Sequence, residues 1–303
     1  MVICPVRDGE VMKIEHRVPV GEHEFYCCGA RVLIKDGAIE VLTEPRISYC
    51  PLHEAIYGTK TLDKEAVRRT AEIKIKDLGF CCEDRVFDES SIVPYGSSEI
   101  ISVCMKKGAL DCAVTVCDGA GTVVADNAGL VQAIGARLTG IVRTSPVRST
   151  IEYIKAKGGR VLDEESARID QAEGTVKAVE LGHRRIAVTV ASFKSDSIEK
   201  IRRIEKDRAA QVAVFSVCNT CAEEADVDRI LDGADVVCAS ASKLVRERVG
   251  PRAVLQLGLT IPVFALTRFG KRLLLSYLIE FDESIVAFRS RRMPYLVEGK
   301  GPC

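Results

Sequence analysis

The chain has 303 residues, no Trp, 13 Cys, and 43 basic against 43 acidic side chains. A net charge of zero supplies no global field for drawing in nucleic acid or an anionic membrane, and 47% apolar with 28% charged residues excludes overall disorder. The longest uncharged, lipid-compatible run, 253–267, is broken by Gln256, Thr260 and Pro262 and is too short to cross ~30 Å of hydrocarbon, so no membrane partner is expected.

In chain order, 24–30 and 31–34 have strand character, and Asp36-Gly37 sits between ARVLIK and AIEVLT as the turn of a tight hairpin. Pro45 and Pro51 bracket an irregular stretch. Leu62, Ala66, Val67, Ala71, Ile73, Ile75 and Leu78 then predict an amphipathic helix, with Thr61 as its N-cap and Gly79 as its stop. From about residue 97 the pattern becomes strand alternating with helix. Strands are predicted at 111–117, 185–190, 211–218, 235–238 and 261–266, each short and mostly apolar, as strands buried on both faces are. Helices fall between them: one opened by Ser145-Pro146 and closed by Gly158-Gly159, one over 163–181, and one over 197–206. This grammar predicts an α/β fold, a mostly parallel sheet with helices on both faces, preceded by a small β-rich, cysteine-containing module. The expected division is 1–95, 96–285, and a C-terminal tail, 286–303, whose Arg289, Arg291 and Arg292 read as a solvated end.

The opening MVICPVRDGEVMKIEH has no charged-then-apolar leader, so a cytoplasmic, reducing location is expected. There, thiols serve as metal or cluster ligands, as redox groups, or as small buried apolar groups. Cys4, Cys27, Cys28, Cys50, His53, Cys81 and Cys82 lie in turn-rich sequence. One thiol from each adjacent pair, with Cys50 and either His53 or Cys4, makes a four-ligand set suited to zinc or an iron–sulfur cluster; packing alone is the alternative. His16, His23 and His183 have no partner at metal spacing.

In open parallel sheets, ligands bind outside the carboxyl ends of the strands. Those ends here carry Cys117 and the loop 118–122, then Ala191-Ser192, Cys218-Asn219-Thr220-Cys221, 238–243 and Thr267-Arg268, an inventory of small, polar and thiol side chains. Gly119 and Gly121 clear the backbone for a small anionic ligand and Thr122 adds a hydroxyl; the same stretch reads equally as a tight turn that reverses the chain. Asp118, directly after a buried strand, is the candidate catalytic residue, as general base or ligand anchor, with capping of its own loop as the alternative. Cys218 and Cys221 have a C-x-x-C spacing that supplies half of a closed metal site. No Ser-His-Asp ordering, HExxH or kinase set is present in the sequence, which argues against a standard hydrolase, zinc protease or phosphotransferase.

The segments EPRISYCPL (44–52), DLGFCCEDRV (77–86), AVTVCDGAGTVV (113–124), LVQAIGARLTGIV (130–142), ARIDQAEG (167–174), RRIAVTVAS (184–192) and ADVVCASASK (234–243) resemble, in order, the methanogenesis marker protein 8 family of methanogenic archaea. The family's YCPL element falls on Tyr49-Cys50-Pro51-Leu52, its GxC…DR element on Gly79, Cys81, Asp84 and Arg85, its GAGTV loop on 119–123 and its IDQ element on 169–171. Cys218-Asn219-Thr220-Cys221 departs from the His-Thr-Thr-Gly-like turn of that family, which shifts weight toward Cys50 and Cys81. The resemblance implies an anaerobic cytoplasmic setting and a role linked to methane metabolism, and supplies no reaction.

The sequence therefore leads us to expect an accessory or maturation protein of methanogenesis. Its N-terminal module would hold a metal or cluster through Cys50, Cys81 and Cys27 or Cys28, and the strand-end loop would take a small anionic ligand. Two alternatives stand beside it: a metal-independent enzyme acting on a phosphorylated or carboxylated coenzyme precursor, and a non-catalytic scaffold for a methanogenesis enzyme.

Overall fold

Turn chemistry at the start of the chain builds the first sheet. In the computed structural model, which describes residues 17–135 and 140–294, β1 (Glu22–Cys27) and β2 (Ala30–Lys35) are joined by Cys28-Gly29. Asp36-Gly37 joins β2 to β3 (Ala38–Val41), as its sequence predicts, and all four turn residues have positive φ. Two left-handed residues in succession match the right-handed twist of the flanking strands. Cys4, His16 and the last part of the tail, 295–303, lie outside the described residues.

Two helices follow, α1 (Pro51–Tyr57) and α2 (Lys64–Leu78). The cap of α2 is Asp63, whose carboxylate accepts the Ala66 N–H, two residues beyond the expected Thr61; Gly79 closes the helix at φ +62°. The face carrying Val67, Ala71 and Ile75 packs with Phe25, Val32 and Ile34 from the sheet, and Phe25 meets Phe80 edge-on at 5.2 Å.

The second part runs α3 (Ser97–Lys106), β4 (Cys112–Cys117), β5 (Gly121–Ala125), α4 (Ala128–Gly135), β6 (Gly140–Thr144), α5 (Arg148–Ala156), β7 (Arg160–Val161), α6 (Gln171–Glu180), β8 (Arg185–Ala191), α7 (Ser197–Asp207), β9 (Gln211–Val217), α8 (Glu224–Gly233), β10 (Val236–Cys238), α9 (Lys243–Val249), β11 (Leu255–Leu257), β12 (Val263–Ala265) and α10 (Arg268–Ile279). Its eight-stranded sheet has the order β11-β12-β10-β9-β8-β4-β5-β7. Only the centre, β10-β9-β8-β4, is parallel; both flanks are antiparallel, so the sheet is mixed rather than mostly parallel. The cause is local. Asp118-Gly119-Ala120 is too short for a crossover, and β5 folds straight back on β4 with Cys117 opposite Gly121.

Helices cover both faces, as expected. Alternate strand residues point to opposite sides: Ala187, Ala213, Phe215 and Val236 meet α3, α4, α5 and α10, whereas Ile186, Val188, Val212 and Val214 meet α6, α7, α8 and α9. The helix expected over 163–181 begins only at Gln171, because Asp170 caps it by accepting the Glu173 N–H, while Asp163 holds a separate turn through the N–H groups of Glu165 and Ser166.

One strand crosses between the two parts. β6 pairs with β1, completing a four-stranded sheet of order β3-β2-β1-β6. At that seam the buried His23 bonds the Thr144 hydroxyl through Nδ1 (2.6 Å) and the Val20 carbonyl through Nε2 (2.7 Å).

Candidate ligand site

The parallel centre of the sheet places three carboxyl ends side by side, and a cavity of about 670 Å³ opens there. Thr189 and Ala191 from β8, Val217 and Cys218 from β9, and Cys238 and Ser240 from β10 form its floor. The small N-terminal part supplies the opposite wall: Cys28 from the β1–β2 turn, Cys50 and His53 at the start of α1, and Lys74 from α2. The loop 93–96 and the segment 258–261 close the sides.

Hydrogen bonds fix this frame. The Asn219 N–H donates to Ser240 Oγ (3.0 Å), Asn219 Nδ2 donates to the Cys238 carbonyl (2.8 Å), and Ser216 Oγ donates to Asn219 Oδ1 (3.0 Å), so one buried amide staples the ends of β9 and β10. Glu99 holds the loop before α3: its Oε1 accepts the N–H groups of Ile92 and Val93 at 3.1 Å, and its Oε2 accepts the Ser98 hydroxyl at 2.8 Å. Tyr95 stacks on Phe281 at 5.2 Å between ring centroids, and Glu283, which acts on Tyr95 electrostatically, shares that part of the lining. Among the described residues, eight non-glycine residues have positive φ, and four of them, Cys28, Tyr95, Cys218 and Ser240, line this cavity. Strained backbone collects where surrounding structure holds a shape for use.

Lys74, His53, Cys50 and Cys28 make another part of the lining. Lys74 is 3% exposed. It belongs to the buried face of α2 with Thr70, Ala71 and Ile75, and its Nζ lies 5.9 Å from the centre of the Phe80 ring. Burial, reinforced by the Lys74 charge, pushes the His53 imidazole down to about 4. Burial pushes the Cys218 thiol up to about 12, with Lys74 opposing, and the Cys238 thiol up to about 11. At neutral pH the lining therefore holds a neutral His53 imidazole and protonated Cys218 and Cys238 thiols.

The sequence-derived candidates separate into three groups. Cys28, Cys50 and His53 line the cavity. Cys27 is buried in the core of the first sheet, with its Sγ 4.0 Å from Cys28 Sγ. Cys81 is buried elsewhere, beside Asp118, Cys82 and Cys117. Among the described residues, no three His, Cys, Asp or Glu side chains converge as a metal ion would require.

Asp118, Gly119, Gly121 and Thr122 do not line the cavity. Asp118 is 1% exposed, its Oδ1 accepts from Arg85 Nε (2.8 Å), and its Oδ2 accepts the Cys81 N–H (2.8 Å). Arg85 lies over the Phe87 ring at 4.2 Å, so the pair pins the loop after α2 to the β4–β5 turn. Space around the glycines is already filled: a Cβ on Gly119 would meet Val147 at 2.8 Å, and one on Gly121 would run into the Ala167 carbonyl. Thr122 Oγ1 donates to Gln171 Oε1 (2.8 Å) and accepts the Asp170 N–H (2.9 Å). Thr267 and Arg268 sit at the opposite sheet edge from Cys238, because β12 runs antiparallel to β10; Thr267 Oγ1 instead bonds Asp235 Oδ1. Of the C-x-x-C pair, Cys218 faces the cavity. Cys221 lies in the short 3₁₀ turn beyond it, with Arg46 close by.

Lys74 is the residue sequence reasoning passed over. Its signal was there: positions 66, 70 and 74, and 67, 71 and 75, are two rows at helical spacing on the face that α2 buries.

Fold and cavity together define a three-layer α/β protein with a pocket of small-molecule size at the carboxyl ends of its parallel strands. The chain belongs to the family described as "Uncharacterized protein conserved in archaea (DUF2099)", which matches residues 23–278. It is also similar to "Uncharacterized protein MJ0054" of Methanocaldococcus jannaschii, with 39% identity over 262 residues that cover 86% of this chain and 92% of that protein. Among the described residues, no helix is long and apolar enough to cross a membrane.

Proposed function

We propose that this protein binds an anionic, partly aliphatic small molecule in the strand-end cavity, with Lys74 as the counter-ion and the Tyr95–Phe281 end receiving the apolar portion. The observation that carries this reading is a lysine 3% exposed in the wall of a 670 Å³ pocket. Lys74 acts electrostatically on His53, Cys28 and Cys218 of the lining, and an anionic group placed there would meet that field. The motif resemblance to the methanogenesis marker protein 8 family, with a relative from Methanocaldococcus jannaschii, supports a cytoplasmic role in methanogen metabolism, either in accessory or maturation work or as an enzyme on a carboxylated or phosphorylated coenzyme precursor. Zinc or a cluster on Cys27, Cys28, Cys50, His53 and Cys81 has less support. Lys74 places a fixed positive charge beside the cavity-facing members of that set, and Cys81 stands with Asp118 and Cys117 instead.

The test uses three probes of one chain length: decanoate, decanol and decylammonium, titrated calorimetrically into wild-type protein and Lys74→Met. Decanoate is expected to bind best, and the substitution to weaken it by about 10- to 100-fold, the worth of a charge-assisted contact. Equal binding of all three probes, or decanoate binding untouched by Lys74→Met, refutes the reading.

A further inference from the structure

Helices α2, α3, α6 and α7 each carry an acidic residue in the first turn and a basic one in the last, the sense that a helix macrodipole favours. α10 is built the other way. Its first turn has no acid and its last no base; Arg268, Lys271 and Arg272 crowd its start, and Glu280, Asp282 and Glu283 follow its end. Both ends therefore set like charge against the helix dipole. Among the described residues, α10 and these acids make a single ion pair, Lys107 with Glu280. The outer stripe of the helix has a second irregularity. Residues 268, 272, 275 and 279 follow helical spacing on the face opposite the buried Gly270, Leu273, Leu274 and Tyr277. A stripe turned to solvent is ordinarily polar, yet this one holds Leu275, 42% exposed, and Ile279, 79% exposed. Ile285, Val286 and Phe288 are exposed just beyond, so five of the twelve large hydrophobics exposed among the described residues fall between 275 and 288. Such a concentration marks an interaction surface rather than scattered apolar residues.

We propose that this stripe is the interface of a two-fold homodimer, in which α10 of one copy lies antiparallel to α10 of a second. Charge and symmetry select that occupant. Leu275 and Ile279 are placed symmetrically about position 277, as are Arg272 and Asp282, so an antiparallel copy sets apolar on apolar and base opposite acid in one arrangement. The same arrangement lays the basic start of each helix beside the acidic end of the other, which relieves the reversed charges of both. A partner of uniform charge relieves one end and aggravates the other. Stable interfaces bury about 1,200 Å² or more, so the seam extends past the helix onto 285–288. The inference is independent of the ligand reading above.

Sedimentation velocity over about a hundredfold range of protein concentration follows the mass. Wild type is expected to reach twice the 33.1 kDa of one chain as concentration rises. Ile279→Glu, at a solvent-facing position, should stay monomeric with an unchanged circular-dichroism spectrum. Arg272→Glu and Asp282→Arg should each weaken the dimer about tenfold or more by setting like charges together, and the two combined should restore it, since each swapped charge faces the other across the two-fold axis. Should a variant fail to fold, carbodiimide cross-linking of mixed isotope-labelled and unlabelled wild type decides: links between copies should join Lys271 to Asp282 or Glu283. A wild type that stays monomeric throughout overturns the proposal. So does a dimer untouched by Ile279→Glu, a double charge swap no better than the singles, or links between copies placed elsewhere.

Discussion

Asp118 offers the sharpest contrast between a catalytic residue and a structural one. Replacing it with Ala strands the Arg85 guanidinium, 7% exposed, without its counter-ion, and removes the acceptor of the Cys81 N–H. Removing one partner of a buried ion pair costs about 3–5 kcal/mol. Against a usual total stability of about 5–15 kcal/mol, that is a third or more of the whole. Urea unfolding followed by far-UV circular dichroism of Asp118→Ala, Arg85→Met and the double variant measures both the loss and the coupling. The double variant should be much less destabilised than the sum of the singles, since neither charge is then left stranded. A loss below about 1 kcal/mol in Asp118→Ala, or strict additivity, would refute the reasoning. Asp118→Asn offers a second check, because Asp118 lies outside the cavity: a well-folded variant should bind decanoate as wild type does.

Three further predictions follow from the same geometry. The His53 pKa of about 4 lies below its ordinary 6.5, so the unfolded chain takes up the proton first as pH falls. Stability should therefore be level above pH ~6.5 and drop between ~6.5 and ~4, by on the order of 3 kcal/mol, and His53→Phe should flatten that limb; an unchanged limb contradicts the assignment. Burial holds the Cys218 and Cys238 thiols at about 12 and 11, so iodoacetamide at pH 8 should alkylate them slowly in the native protein and quickly after denaturation, with mass spectrometry of peptides as the readout; fast native labelling of Cys218 contradicts the placement. Gly58 and Gly121 share φ +68°, yet a Cβ at Gly58 meets open space and one at Gly121 meets the Ala167 backbone. Gly58→Ala should cost only the left-handed penalty of about 1–2 kcal/mol, and Gly121→Ala clearly more; equal midpoints in urea would be inconsistent with this packing.

Much of the architecture was legible in the sequence because it is locally encoded. Asp36-Gly37 has the one turn chemistry a two-residue hairpin favours, and the apolar runs at 185–190 and 211–218 emerge as β8 and β9, the sheet's parallel centre. The antiparallel flanks were not legible, since a strand buried on both faces carries no sign of its direction, and all five residues of β5 are buried. Direction came instead from the length of the Asp118-Gly119-Ala120 turn. The pairing of β6 with β1 joins residues more than a hundred positions apart, and no local pattern announces it. At the site, the rule that ligands gather at strand carboxyl ends led to the edge where Cys218 and Cys238 line the cavity. The same rule led to Asp118, which lies outside the cavity and whose carboxylate accepts from Arg85 and the Cys81 N–H. Cysteine count drew attention to the thiols, whereas Lys74 of the cavity wall was one lysine among the charges of α2.

The central claim is that the cavity holds an anionic ligand with its charge against Lys74. A crystal structure of the protein soaked with decanoate tests it most directly. The account predicts the carboxylate within ion-pairing distance of Lys74 Nζ and the alkyl chain directed toward Tyr95 and Phe281. A chain bound outside the cavity, or seated in it with the carboxylate turned away from Lys74, would contradict it.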